Sequence, residues 1–334
     1  MIELIKKYSL EKSFREGLGI LSDAEIEFKL LAQGEYNINF LFEHPETKKE
    51  LLFRVNIGSQ MHLENQIEYE YQALKLLENS GRTPKVYYVD NSKKIIPNGI
   101  LIMEFLPGEV MDYERDLFTG AEILADIHSM HMDENSSLIH SQNPCREILE
   151  ECNQMFKIYE ESDKADSKKK MQIRRMLDIC QEKTKLLSDY NGYKCCINTE
   201  VNSTNFLINK EGQSYLIDWE KPLYGDPGQD LGHYLAPTIT FWKTDVILTE
   251  KETDAVLEHY IQHVGKRYDL ANLKERVNIF IPVTCMRGIT WCAMAWVEYQ
   301  QPGKEIRNES TWKKLNDYLE QSFIDMLEKR IEKM

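Results

Sequence analysis

Residues 197–220 read Ile197-Asn198-Thr199-Glu200-Val201-Asn202-Ser203-Thr204-Asn205-Phe206-Leu207-Ile208-Asn209-Lys210-Glu211-Gly212-Gln213-Ser214-Tyr215-Leu216-Ile217-Asp218-Trp219-Glu220. Phe206–Ile208 and Tyr215–Ile217 are apolar strands separated by a polar turn that contains Gly212, the pattern of a short β-hairpin. Closing that hairpin brings Asn205, just before the first strand, beside Asp218, just after the second. An amide oxygen and a carboxylate then converge at one open end. Hard oxygen ligands of this kind, completed by phosphate oxygens and water, suit Mg²⁺. Glu200 lies five residues before Asn205 on the same loop and is long enough to reach a substrate hydroxyl beside such a metal site.

Upstream of this stretch the chain reads as strands around one helix. Ile26, Phe28 and Leu30 alternate with charged residues, and Ile38, Phe40 and Phe42 alternate again after a turn at Gly34. A third strand is expected over Leu51–Val55, a helix near Leu63–Leu77 closed by Asn79-Ser80-Gly81, and two more strands at Val86–Val89 and Ile100–Phe105. Beyond Leu106-Pro107-Gly108 helices dominate. Leu117, Ala121, Leu124, Ala125 and His128 share one stripe, a helical pair spans about 144–188, and Trp312, Leu315, Leu319, Phe323 and Met326 share a face in the tail. The expected fold is therefore α+β, with a small β-rich lobe, a hinge near 104–108 and a larger α-rich lobe. The expected domains are a helical extension at 1–26, an N-lobe with its hinge at 27–107 and a helical C-lobe at 108–334. A cleft between two lobes is a common place for a ligand.

Two charges interrupt apolar patterns in the first lobe. Arg54 sits inside the strand Leu51-Leu52-Phe53-Arg54-Val55, and Glu70 falls on the helix stripe of Ile67, Tyr71 and Leu74, while Glu68 joins the polar face. A buried cation and a buried carboxylate each need a partner, so Arg54 and Glu70 are expected to pair.

With these residues in view, the chain resembles the aminoglycoside phosphotransferase and choline kinase family, relatives of protein kinases. That family carries a loop of the form H-x-D-x-x-x-x-N followed by a strand pair that ends in a metal-binding I-D-W/F-E/G motif. Asn205 and Asp218 match its metal ligands. Asn198 stands where the family has His, and Glu200 where it has the catalytic Asp. The resemblance implies a bilobal protein-kinase-like fold and in-line transfer of the ATP γ-phosphoryl group, with Mg²⁺, to a small-molecule hydroxyl. It places the catalytic positions at Glu200 and Asn198 and the phosphate grip at Arg54, braced by Glu70; Arg keeps its charge and forks across phosphate oxygens. It puts Gly34 in the phosphate-covering loop and the backbone groups of Glu104 and Leu106 at the adenine. For Gly34 a plain turn, and for the hinge a plain strand exit, are the alternatives. The departures at Asn198 and Glu200 leave a nucleotide-binding pseudoenzyme as the second reading. A protein kinase fits less well, because H-R-D-L and D-F-G are absent.

Gly225-Asp226-Pro227 and Asp230-Leu231-Gly232 resemble a G-D-P-x-x-D-L stretch of the same family. Asp before Pro is a helix start, so Asp226 is read as a cap and Asp230 as a brace for the catalytic loop. His128, on its apolar stripe, reads as a core histidine. Trp242, Trp291 and Trp296 invite an aromatic cage for a cationic amine, but WCAMAWVEY also reads as a packed helix, and core packing is the favoured reading.

The chain has 334 residues, enough for two lobes, and a net charge of −14. That charge argues against nucleic-acid and anionic-membrane partners. It suits a cationic acceptor, such as an amino sugar or amine-bearing alcohol, but an ordinary solvated acidic surface is the favoured reading. No apolar run reaches the ~18 residues of a membrane span, and the first residues contain no signal-like apolar region. Seven cysteines without metal-ligand spacing read as reduced thiols of a cytoplasmic protein.

Overall fold

The strand and helix patterns close into two lobes in the computed structural model, which describes residues 1–185, 192–301 and 308–333. The N-lobe sheet comprises β1 (Lys29–Gln33), β2 (Asn37–Glu43), β3 (Glu50–Asn56), β4 (Val86–Asp90) and β5 (Gly99–Glu104) in the order β1-β2-β3-β5-β4, antiparallel wherever neighbours pair. Successive side chains of β5 divide between the two faces. Ile100 and Ile102 join Ile5, Tyr8 and Phe14 of the helices α1 (Ile2–Tyr8) and α2 (Lys12–Leu18), whereas Leu101 and Met103 join Leu74 and Leu77 of α3 (Gln66–Leu77). The N-terminal helices thus cover one face of the sheet and α3 the other.

Two expectations for this lobe shift. Pairing of β1 begins only at Lys29, Leu30 is 54% exposed, and a register shift separates Leu30 from Ala32 on this edge strand. The burial comes earlier, from Ile26 and from Phe28 packed on Phe42 and Phe53. Helix α3 starts at Gln66 rather than Leu63, because Ser59 ties the preceding segment into a loop: its hydroxyl accepts from the Leu63 N–H at 2.9 Å and donates to Gln66 at 2.5 Å. Tyr69 rather than Tyr71 completes the buried face of α3.

The C-lobe holds α4 (Tyr113–His128), α5 (Pro144–Glu160), α6 (Ser167–Thr184), α7 (Pro227–Leu235), α8 (Pro237–Thr244), α9 (Glu250–Val264), α10 (Leu273–Glu298), α11 (Glu309–Tyr318) and α12 (Gln321–Glu332). The expected end of the second helix of the 144–188 pair lies outside the described residues. The tail is two helices, not one, broken at Leu319 and Glu320. Helix α10 is long and apolar enough to cross a membrane by composition, but 67% of that apolar window is buried, and the helix packs on α5 and α7 at the centre of the lobe. Between the helices lie two small sheets where the sequence suggests one hairpin. Strands β8 (Phe206–Ile208) and β9 (Tyr215–Leu216) form the hairpin, with β6 (Glu109–Val110) added to its edge. Strand β7 (Cys195–Ile197) instead pairs with β10 (Leu223–Gly225), beyond the hairpin.

Candidate active site

The loop after β7 is pinned from behind. Asp230, fully buried on α7, accepts from the Asn198 N–H at 2.7 Å and the Thr199 N–H at 2.8 Å. Thr199 has φ +69°, an uncommon conformation for a branched residue, and these bonds hold it there. The same Asp230 contacts His128 at 3.2 Å, and His128 reaches Tyr260 at 2.7 Å, so His128 is a satisfied core residue. Asp226 caps α7 through the Gly228 N–H at 2.8 Å and pairs with Arg276 at 2.7 Å.

Asn198 is buried, and both ends of its amide are spent on backbone. It donates to the Asp218 carbonyl at 2.9 Å and accepts from the Glu200 N–H at 3.0 Å. Through these two bonds Asn198 joins the loop to the segment that carries Asp218. Asn205 donates to the Glu200 carbonyl at 2.9 Å, and its own carbonyl accepts from Ile217 at 2.8 Å. With the amide nitrogen so engaged, its side-chain oxygen is left for a ligand. Asp218 adopts φ +64°.

Around Asp218 the charges are dense. Arg54 pairs with Glu70, both buried, and donates to Asn39 at 3.0 Å. Burial opposes the Arg54 charge, but Glu70, Asp218 and Glu220 together hold the guanidinium above its ordinary value. Burial raises the Asp218 carboxyl, and the nearby Glu200 adds to that against Arg54. Glu220 is pushed up to about 7 by burial and then by the Asp218 charge, although Asn37 donates to it. One oxygen of Glu70 is buried without a partner. Two side chains of α3 reach across the cleft: Gln66 donates to the Glu220 carbonyl at 2.7 Å and Tyr69 to the Pro222 carbonyl at 2.5 Å.

Glu200 pairs with Lys221 at 2.6 Å. Burial alone would raise its carboxyl, but the Lys221 ammonium brings it below the usual range. Lys221 was missed in the sequence; its only signal there is a cation directly after the 218–220 triplet. Glu200 also lines a cavity of about 450 Å³, shared with His233, Trp242, Lys243, Arg287 and Trp291. Trp242 and Trp291 meet edge to face at 5.4 Å, and Trp291 is 40% exposed. Core packing holds for Trp296, against Tyr159 and Trp312, and in part for Trp242, which also packs on the buried Tyr318, but not for Trp291. Sequence reasoning also missed Glu151 and Arg287, paired at 3.1 Å on the cavity wall, and Glu220.

Gly34 lies in the turn between β1 and β2, its N–H on the Asn37 carbonyl at 2.8 Å, and a Cβ there would meet nothing closer than 3.7 Å. At the expected hinge the Glu104 N–H donates to Lys85 at 2.8 Å, whereas among the described residues no hydrogen bond takes the Leu106 N–H.

A profile of the phosphotransferase enzyme family matches residues 27–275, most of the chain. This chain belongs to that family. Solved structures agree on the fold of a phosphotransferase. Choline kinase from Cryptosporidium parvum Iowa II superimposes with a TM-score of 0.63 at 16% identity, covering 97% of this chain and 96% of the other. Spectinomycin phosphotransferase, solved with ADP and spectinomycin, gives 0.60 at 14% identity, covering 93% and 94%. Choline kinase from Streptococcus pneumoniae gives 0.58 at 19% identity, covering 95% and 98%.

The phosphotransferase site fits magnesium through its donor set. No group of three or more His, Cys, Asp or Glu among the described residues makes a closed metal cage. Mg²⁺ does not need one, since it commonly takes one or two carboxylates plus phosphate oxygens and water. Asp218 with the Asn205 oxygen is such a partial set, and the carboxylates crowded at 218 and 220 carry charge that a cation would neutralise.

Proposed function

We propose that this phosphotransferase moves the γ-phosphoryl group of ATP to a hydroxyl of a small molecule, in a magnesium-dependent reaction with Glu200 facing the acceptor. The observation that carries this reading is the position of Glu200. Its side chain lines the cavity, its carbonyl holds Asn205, and its charge is felt by Asp218. A carboxylate between an acceptor cavity and a cation site can orient a hydroxyl toward a phosphorus bound at that site.

Asn205 and Asp218 would hold the metal. When bound, magnesium supplies charge neutralisation on the phosphates. Arg54, kept charged by Glu70, would bind phosphate oxygens, and the carbonyl of Glu104 and N–H of Leu106 would take the adenine, so that residues 27–107 serve the nucleotide and the C-lobe the acceptor. Because Lys221 keeps Glu200 ionised and weakly basic, its contribution is orientation more than early proton removal. All seven cysteines are free and buried, which supports a reducing, cytoplasmic setting.

The test is ADP release from Mg-ATP across a library of hydroxyl compounds, with Glu200→Gln alongside. Turnover should fall by roughly 10²-fold in the variant, the scale of a misplaced reacting group, while ATP affinity stays put. Equal rates in a folded Glu200→Gln protein would remove the assignment. The Lys221 pair also supports a second reading, a nucleotide-binding pseudoenzyme whose base position is tied up; Mg-ATP binding with no acceptor phosphorylated anywhere in the library would favour it.

A further inference from the structure

The cavity does not share the acidic excess of the chain. On a protein of net charge −14, this cavity is lined by two cations, Lys243 and Arg287, and two carboxylates, Glu151 and Glu200. Both carboxylates already have cationic partners, Glu200 with Lys221 and Glu151 with Arg287. An ammonium group entering the cavity would find no unpaired carboxylate there. Lys243 has no ion-pair partner among the described residues, and Arg287 meets Glu151 through Nε, which leaves the two Nη groups for another acceptor. His233 adds no positive charge: burial and the Arg287 charge push it down to about 4. The remaining feature is the exposed face of Trp291 beside Trp242, a wall for a flat or ring-shaped apolar surface.

Resting on the kinase reading above, we propose that the acceptor is an anionic alcohol: a hydroxyl compound with a carboxylate or phosphate group taken by Arg287 and Lys243 and an apolar ring face laid on Trp242 and Trp291. This reverses the cationic acceptor expected from net charge and resemblance. Overall charge belongs to a surface spread over the whole chain, whereas recognition depends on the few side chains that a bound molecule touches.

The experiment uses hydroxyl compounds in charge-matched sets on one skeleton, such as glucuronate, glucose 6-phosphate, glucose and glucosamine, with further sets on aryl and acyclic skeletons. ADP release with Mg-ATP and calorimetric binding in the presence of ADP are both read. Anionic members should bind and react about tenfold to a hundredfold better than the ammonium members, the range of a charge-assisted hydrogen bond. Arg287→Gln and Lys243→Gln should remove that preference without changing ATP affinity, Arg287→Lys should restore part of it, and Glu151→Gln, which releases Arg287, should strengthen it. The Glu151 variant guards against misfolding, since damage does not improve binding. The carboxylate and phosphate arms tell which anion is meant. Preference for ammonium members, a preference that survives both cation substitutions, or no binding by any anionic member overturns the inference and leaves the kinase reading standing. Anionic binding that is lost in Arg287→Gln, without turnover by any compound, overturns the kinase reading and keeps the cavity assignment.

Discussion

The two sides of the cleft are built from opposite materials. Around Asp218, four charged groups lie within reach of one another, Arg54 and Glu70 buried and Asp218 and Glu220 partly so. Around Trp291, an aromatic wall and half-exposed ion pairs surround open space. The first side is a fixed electrostatic frame, suited to a ligand whose charge never changes. The second is a surface whose few charges can be exchanged without disturbing the frame. Glu200 belongs to both, its side chain on the cavity and its carbonyl bonded to Asn205.

Changes on the frame should therefore affect every acceptor, and changes on the wall only some. The largest effect is expected for Asp218→Asn. Asparagine tolerates the left-handed backbone at this position, so the fold should persist while magnesium-dependent turnover drops by roughly 10³ or more, as for removal of a main electrostatic group in other enzymes. A thermal melt near that of wild type together with wild-type turnover would dismantle the frame. Next, Arg54→Ala and Glu70→Ala, alone and together, should show coupling of ~0.5–3 kcal/mol in ATP affinity; strict additivity would mean the pair does not act as a unit. On the other side, Trp242→Ala should raise the acceptor KM about tenfold, consistent with ~1 kcal/mol or more from lost aromatic contact, with ATP KM unchanged. A shift in both constants would show that the two sides are not separable.

The smallest effect concerns the tie between lobes. Asp126 on α4 pairs with Arg82 at 2.8 Å and with Arg267 at 2.7 Å on the C-lobe side. Burial would raise its carboxyl, but Arg267, Arg82 and His263 bring it below the ordinary value. A depressed folded pKa contributes stability above the unfolded value, about 3.9, that fades as pH falls through the folded one. Asp126→Asn should thus lose about 1 kcal/mol at neutral pH, measured by denaturant unfolding, with the gap closing below pH 4. A gap that widens in acid would reverse the assignment.

The frame was largely readable from the amino-acid order, because its geometry is local. A hairpin of short strands brings Asn205 and Asp218 together whatever surrounds it, and a charge on an apolar strand or helix stripe announces a partner. The wall was not readable in this way. Trp242 on α8, Glu151 on α5 and Arg287 and Trp291 on α10 share no spacing rule; only the packing of three helices makes them neighbours. Lys221 escaped for a different reason. Its contact with Glu200 depends on how the 198–202 loop curls, and that curl is set by Asp230 from another helix and by the positive φ of Thr199. For Asn198 a family position suggests chemistry, whereas its two hydrogen bonds, invisible in the sequence, make it a brace between the loop and residue 218.

The reach of α3 across the cleft has a consequence for control. Gln66 and Tyr69 anchor this helix to the carbonyls of residues 220 and 222, and Glu70 rides on the same turn. Swinging α3 outward would leave these partly or fully buried polar groups unmatched, at about 1–3 kcal/mol for each one that is buried. The Arg54–Glu70 contact is thus preassembled, and a regulator acting by helix displacement would have to work against those anchors.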